Sequence, residues 1–181
     1  MKRLTLLRHA KSGEDLAARR DFDRRLNGKG RRAARAIGRH MRDNQLAFDR
    51  VIASPAARVV ETVAEVGAGY GAGLDPAWER RIYLASAAEL LDLVHELPDG
   101  ASSLLLVGHN PGLEQLVLLL VPDQADDVVR DRVEEKYPTA SLAEIALDVA
   151  HWADVAPGLG RLTRFVRPRD LDPALGPDSP E

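Results

Sequence analysis

Alternation is the feature that most constrains the fold. Three short apolar runs, Lys2–Leu7, Arg50–Ala53 and Ser103–Val107, are separated by longer stretches with helical spacing. Runs this short, with little in–out alternation, suit strands covered on both faces, as in a parallel sheet. In Gly28–Asn44 the apolar Ala33, Ala34, Ile37 and Met41 fall on one helical face, with Arg31, Arg32, Arg35, Arg39 and Arg42 mostly elsewhere. A second helix is expected from Ser54-Pro55, with Ser as cap and Pro in the first position, running to the glycines at 67 and 69. Ser86–Leu97 and Pro111–Leu120 read as two more helices, and Ala140–Leu147 and Arg161–Val166 as late strands. Strands alternating with helices predict a single three-layer α/β domain over residues 1–166, with a mostly parallel central sheet and helices on both faces. Residues 167–181 carry four prolines and read as a loose tail.

Composition narrows the chemistry. The chain has no cysteine, which excludes a disulfide framework, a thiolate metal site and a cysteine nucleophile. No apolar run approaches the roughly 20 residues that cross a bilayer, and the first residues turn charged by Arg8, unlike a secretory signal. A soluble cytoplasmic protein without a membrane partner is expected. The net charge of −3 hides an asymmetry: residues 1–58 hold 16 Lys and Arg against 6 Asp and Glu, residues 59–181 hold 9 against 22. Two readings stand for the basic third, an anionic ligand nearby or solvated arginine-rich helix faces. With only 8 aromatics and no basic run interleaved with them, nucleic acid is not favoured.

Two histidines occupy the place where an α/β enzyme puts its chemistry. His9 lies just past the carboxyl end of the first strand and His109 just past that of Ser103–Val107. Neighbouring strands sit about 4.8 Å apart, so both imidazoles would face one ligand if these strands pair. Arg8 precedes His9, Arg58 falls in the first turn of the second helix, and His109-Asn110-Pro111-Gly112 opens another helix. Two arginines, two histidines and a helix terminus suit a tetrahedral oxyanion. Lys11 and Ser12 have two readings, phosphate contact or a plain loop role. Ser54 lacks a Gly-x-Ser-x-Gly elbow, so it reads as a cap. Gly67–Ala72 satisfies a loose dinucleotide fingerprint but follows a helix, so it reads as a flexible helix exit. His40, His95 and His151 have no motif around them.

These residues carry a resemblance. Leu7-Arg8-His9-Ala10-Lys11-Ser12 resembles the Arg-His-Gly/Ala signature of the histidine phosphatase superfamily, the phosphoglycerate-mutase-like fold. Val51–Thr62 resembles its second block and Val107-Gly108-His109-Asn110-Pro111 its third, in order and spacing over residues 1–120. Asp23–Gly30 is similar to the segment before the first helix, although Arg25 stands where the family has proline. The short chain, Ala10 and Tyr137-Pro138-Thr139-Ala140-Ser141 look like the SixA-type phosphohistidine phosphatase branch.

The resemblance implies a phosphatase with His9 as nucleophile, passing through a phosphohistidine intermediate. It makes Arg8, Arg58 and His109 the holders of the phosphoryl oxygens, with the backbone N–H of Asn110 as one more donor; Lys11 and Ser12 keep their two readings beside it. It implies neither metal nor cofactor; Asp123, Asp126 and Asp127 read as a solvated loop. Glu79 is the positional candidate for general acid, against the reading that it only pairs with Arg80, Arg81 or another arginine. The implied substrate is protein phosphohistidine on a partner of the histidine-containing phosphotransfer type, in signal transduction, by a monomer. Two alternatives stay open: a phosphatase of small esters such as a sugar phosphate or nucleotide, and a non-catalytic phosphate- or phosphoprotein-binding module.

Overall fold

In the computed structural model, which describes residues 1–14 and 16–177, the first apolar run becomes β1 (Lys2–Arg8), inside a six-stranded sheet. On one side β1 pairs in parallel with β4 (Ser103–Gly108), which pairs in turn with β2 (Arg50–Ala53), and β2 with the two-residue β3 (Ala77–Trp78). On the other side β5 (Leu142–Leu147) is antiparallel to β1 and to the edge strand β6 (Gly160–Val166). The sheet is therefore mixed and mostly parallel, as the apolar runs imply.

Pleating divides the core in two. Leu104 and Leu106 of β4 face one layer, Leu105 and Val107 the other, and all four are fully buried. Each such side chain contributes about 1.5–3 kcal/mol of burial. The first layer is covered by α3 (Ala87–His95), α4 (Gly112–Leu120) and α5 (Val128–Glu135), with Trp152 buried among them. The second is covered by α1 (Gly28–Asp43) and α2 (Ala57–Tyr70). Asn27 caps α1 by accepting from the Gly30 N–H at 2.8 Å, and Ser86 caps α3.

Four details correct the sequence reading. The glycines at 67 and 69 do not end α2, which runs on to Tyr70 and stops at Gly71, in the left-handed region at φ 88°. The reason is a close crossing: a Cβ on Gly69 would lie 2.1 Å from the Arg35 carbonyl oxygen, and one on Gly38 2.1 Å from that of Val66. Helix α2 also begins at Ala57, so Pro55 precedes it and Ser54 is not its cap. Helix α5 is not among the expected helices: Asp123, Asp126 and Asp127 lie in a loop outside helix and strand, as expected, but Asp127 also caps α5 by accepting from the Arg130 N–H at 3.0 Å. Finally, the expected loose tail is built: α6 (Pro168–Leu171) and a 3₁₀ turn (Pro173–Leu175) follow β6. Asp170 pairs with Arg167 at 3.0 Å and Arg132 at 2.9 Å, and Lys29 donates to the Gly176 carbonyl. Residues 178–181 of that tail lie outside the described residues. Among the described residues no helix is long and apolar enough to cross a membrane.

Candidate active site

Strands β1 and β4 run in register, Leu7 opposite Val107 and Arg8 opposite Gly108. The residues that follow, His9 and His109, therefore emerge together at the carboxyl edge of the sheet. Their ring centroids lie 5.3 Å apart. Arg58, in the first turn of α2, reaches both: Nε donates to His9 Nε2 at 3.3 Å and Nη2 to His109 Nδ1 at 3.4 Å. All three side chains are buried.

The backbone around His9 is held on three sides. Its N–H donates to the Gly108 carbonyl (3.0 Å), its carbonyl accepts from the Ala140 N–H (3.0 Å), and the Ala10 N–H donates to Thr62 Oγ1 (2.9 Å). Partner chemistry then assigns the protons. The Ala10 carbonyl, 2.8 Å from His9 Nδ1, only accepts, so Nδ1 carries the hydrogen and Nε2 presents its lone pair. A guanidinium only donates, so His109 Nδ1 is the acceptor and Nε2–H donates to Ser54 Oγ at 2.8 Å. Ser54 thus serves His109, a role its sequence context did not signal.

Electrostatics keep both rings neutral. Burial, with help from the cationic Arg58 and Arg8, pushes His9 down to about 3. Burial and Arg58 push His109 down to about 4. A neutral imidazole that keeps its Nε2 lone pair is a nucleophile at pH 7; here that lone pair accepts the hydrogen bond from Arg58 Nε.

Asp21 completes the group. Its carbonyl accepts from Arg58 Nη1 at 2.8 Å, and its Oδ2 from Arg58 Nη2 at 2.9 Å and from the Tyr83 hydroxyl at 2.7 Å. Hydrogen bonds from Tyr83 and Arg58 hold its carboxyl down to about 2. Tyr83 also meets His109 edge-on at 5.3 Å and Phe22 at 5.1 Å. Sequence reading missed Asp21 and Tyr83. Asp21 stands just ahead of the Asp23–Gly30 block, an acid in the basic third, which was its only signal.

The remaining expected residues divide. Arg8 Nη1 donates to the Tyr137 carbonyl at 2.9 Å, and its Nε is buried without a hydrogen-bond partner. Such a donor is costly unless an acceptor reaches it. Asn110 spends its side chain on the Tyr137 carbonyl (3.1 Å) and the Glu114 N–H (3.3 Å) at the start of α4. Ser12 Oγ accepts from Arg24 at 2.9 Å, and the Lys11 carbonyl accepts from the Asn27 N–H at 3.0 Å, packing the loop onto α1. Glu79 lies apart from the histidines in its contacts: it accepts from the Arg81 N–H at 3.0 Å and pairs with the Arg81 guanidinium at 2.9 Å, which also pairs with Glu96. Arg81 holds the Glu79 carboxyl below the usual range. Among the described residues no group of His, Asp and Glu is arranged to hold a metal ion.

Comparison with known proteins places the chain in a family. Residues 4–81 match the model of the histidine phosphatase superfamily (branch 1). An uncharacterised protein of Mycobacterium tuberculosis (strain CDC 1551 / Oshkosh) is 34% identical over 166 residues, covering 90% of this chain and 100% of its own. The SixA structure from Nakamurella multipartitia superposes with a TM-score of 0.80 at 30% identity, covering 92% of this chain and 96% of that one. SixA from Agrobacterium tumefaciens gives 0.75 at 28%, covering 91% and 97%.

Proposed function

We propose, from the premise that this chain belongs to the histidine phosphatase superfamily and to its SixA-type branch, that it removes phosphate from protein phosphohistidine through a phosphohistidine of its own. It is a phosphatase; the substrate is the step we add. The class assigned to the two SixA proteins points the same way.

The observation that carries the reading is the state of the two candidate carboxyls, Asp21 at the site and Glu79 apart from it. Glu79 is held ionised by Arg81, and Asp21 by Tyr83 and Arg58. An alkoxide leaving group needs an acid to protonate it, and neither carboxyl is poised to supply a proton at neutral pH. A phosphorylated imidazole needs none: protonated on its second nitrogen near neutrality, it departs as neutral imidazole.

The steps follow from the protons already placed. His9 Nε2 attacks phosphorus, the substrate P–N bond breaks, and its electron pair stays with the departing imidazole. The His9 ring, still bearing its Nδ1 hydrogen, carries the phosphoryl group as a cation. Water then attacks phosphorus, the second P–N bond breaks with its electrons returning to Nε2, and inorganic phosphate and a proton leave. Arg8, Arg58 and His109 stabilise the equatorial oxygens, the main demand of phosphoryl transfer. A phosphate dianion beside His109 raises its pKa from about 4, so that Nδ1 takes a proton and becomes a donor. The arginines supply the positive charge, so the reaction needs no metal ion. The reading carries with it a phosphotransfer-type protein as partner, a signalling role and a cytoplasmic monomer.

The test is dephosphorylation of a phosphohistidine-bearing phosphotransfer protein beside p-nitrophenyl phosphate, without added metal, with His9→Ala as control. Faster loss of phosphohistidine, abolished in the variant, is expected. Fast ester hydrolysis with phosphohistidine untouched moves the substrate to small molecules. Full activity in His9→Ala overturns the mechanism.

A further inference from the structure

A second cationic site adjoins the first. Arg8 at the end of β1, Lys11 after it, Lys29 at the start of α1, Lys136 ahead of β5, and Arg167 and Arg169 of the C-terminal segment line a cleft of about 250 Å³. Among the described residues no aspartate or glutamate lines it. The gathering is uneven for this chain, because 21 of its 25 basic residues are arginine and three of its four lysines meet here. Some of the charge is already engaged: Arg167 pairs with Asp170, Lys29 donates to the Gly176 carbonyl, and Arg8 donates to the Tyr137 carbonyl. Two of the arginines that line it, Arg8 and Arg169, each have a buried Nε with no hydrogen-bond partner. Like charges converging on a partly enclosed space, with buried donors unsatisfied, are relieved by an oxyanion.

We propose that this cleft is an anion subsite that binds a second compact oxyanion, phosphoryl or carboxylate, borne by the substrate. Arg8 is the link. It stands next to His9 in the chain and also lines the cleft, so an anion held there lies beside the phosphoryl group under attack. A cleft of this volume takes a projecting group and not a folded surface. The class of substrate is therefore one whose phosphorylated residue or hydroxyl has a second anionic group close by: an acidic side chain flanking a phosphohistidine, or the second phosphate of a small ester. The inference uses the phosphatase reading only to say which reaction the cleft serves.

Two measurements test it. Calorimetric titration with inorganic phosphate at low salt is expected to show two sites in the wild type. Arg58→Ala should remove one, and Lys136→Ala with Arg169→Ala the other. Lys136→Glu, at an exposed position, repeats the second arm if replacing Arg169 disturbs its segment. Kinetics then compare phosphohistidine peptides with glutamate or glycine flanks, and a sugar bisphosphate with its monophosphate. The double variant should raise KM at least fivefold for the doubly anionic member of one pair, keep kcat, and leave its singly anionic partner within twofold. Which pair responds identifies the source of the anion. Unchanged phosphate stoichiometry in the double variant, or equal KM changes within both pairs, overturns the subsite. Two separable phosphate sites in a protein that hydrolyses none of the four substrates would support the subsite and overturn the phosphatase reading.

Discussion

Asp21 Oδ2 accepts two hydrogen bonds at once, from the Tyr83 hydroxyl at 2.7 Å and from Arg58 Nη2 at 2.9 Å. That shared oxygen aims the guanidinium which contacts both histidines. In the proposed mechanism Asp21 is thus a positioning residue, acting through Arg58. Asp21→Ala should lower kcat/KM at least tenfold, about 1.4 kcal/mol of transition-state stabilisation. Asp21→Asn keeps an acceptor for both donors and should restore activity to within a few-fold of wild type. Steady-state kinetics on both variants decide it, and equal losses in the two would refute positioning in favour of a need for the charge.

The proton assignments are visible to NMR. Histidine side-chain ¹⁵N spectra at pH 6–7 should show His9 as the Nδ1–H tautomer and His109 as the Nε2–H tautomer, both neutral. Addition of inorganic phosphate should shift His109 toward the doubly protonated form. An Nε2–H tautomer at His9 would remove the lone pair from the reacting position and with it the nucleophile.

Much of this site was legible before the fold. Parallel-strand character in Lys2–Leu7 and Ser103–Val107 put His9 and His109 at one sheet edge, and pairing of β1 with β4 brings them side by side. The Asp21–Tyr83 bond was not legible, because its partners are 62 residues apart and neither sits in a periodic pattern. The glycines of α2 misled for a related reason. Local propensity makes Gly67 and Gly69 helix breakers, whereas the tertiary crossing with α1 demands that Gly69 lack a side chain. Strand β3, with two residues, is too short to leave any periodicity.

Stability should fall on mild acidification. His9 and His109 are held at about 3 and about 4 in the fold, against 6.5 for a free imidazole. Below pH 6.5 the unfolded chain binds protons that the folded chain refuses, so unfolding gains up to about 1.4 kcal/mol per pH unit for each ring. The loss runs from pH 6.5 down toward 4 and 3. Asp21, lowered from 3.8 to about 2, adds a loss of the same sign only below pH 3.8. Thermal melts in phosphate-free buffer should show Tm dropping from pH 6.5 to 4.5, less steeply in the His9→Asn, His109→Asn double variant. Parallel curves for the two proteins would mean the rings are not held neutral.

Glu79 gives a prediction of no effect. Its carboxylate is occupied by Arg81, which bridges to Glu96 at 2.8 Å on an exposed surface. Exposed pairs contribute about 0–1 kcal/mol. Glu79→Gln should therefore keep phosphohistidine turnover within twofold and shift stability by no more than that amount. A hundredfold fall in kcat, confined to alkyl phosphate esters, would instead identify Glu79 as the acid for alkoxide departure.

The crossing of α1 and α2 sets the platform that carries Arg58, and Gly38 tests it. Alanine there gains about 1 kcal/mol of helix propensity over glycine. The new methyl would nevertheless lie 2.1 Å from the Val66 carbonyl oxygen, and backbone cannot yield as a flexible side chain does. The helices must part, loosening the layer that buries Ile37, Met41, Val63 and Val66. Overpacking of this kind costs about 1–3 kcal/mol, so Gly38→Ala should come out destabilised by about 2 kcal/mol in urea unfolding. Gly100, where an added Cβ meets nothing within 4 Å, is the control, and alanine there should fall within about 0.5 kcal/mol of wild type. Because Arg58 rides on α2, the Gly38→Ala variant should also lose phosphatase activity in proportion beyond its unfolded fraction. Wild-type stability in that variant would show that the two backbones do not touch.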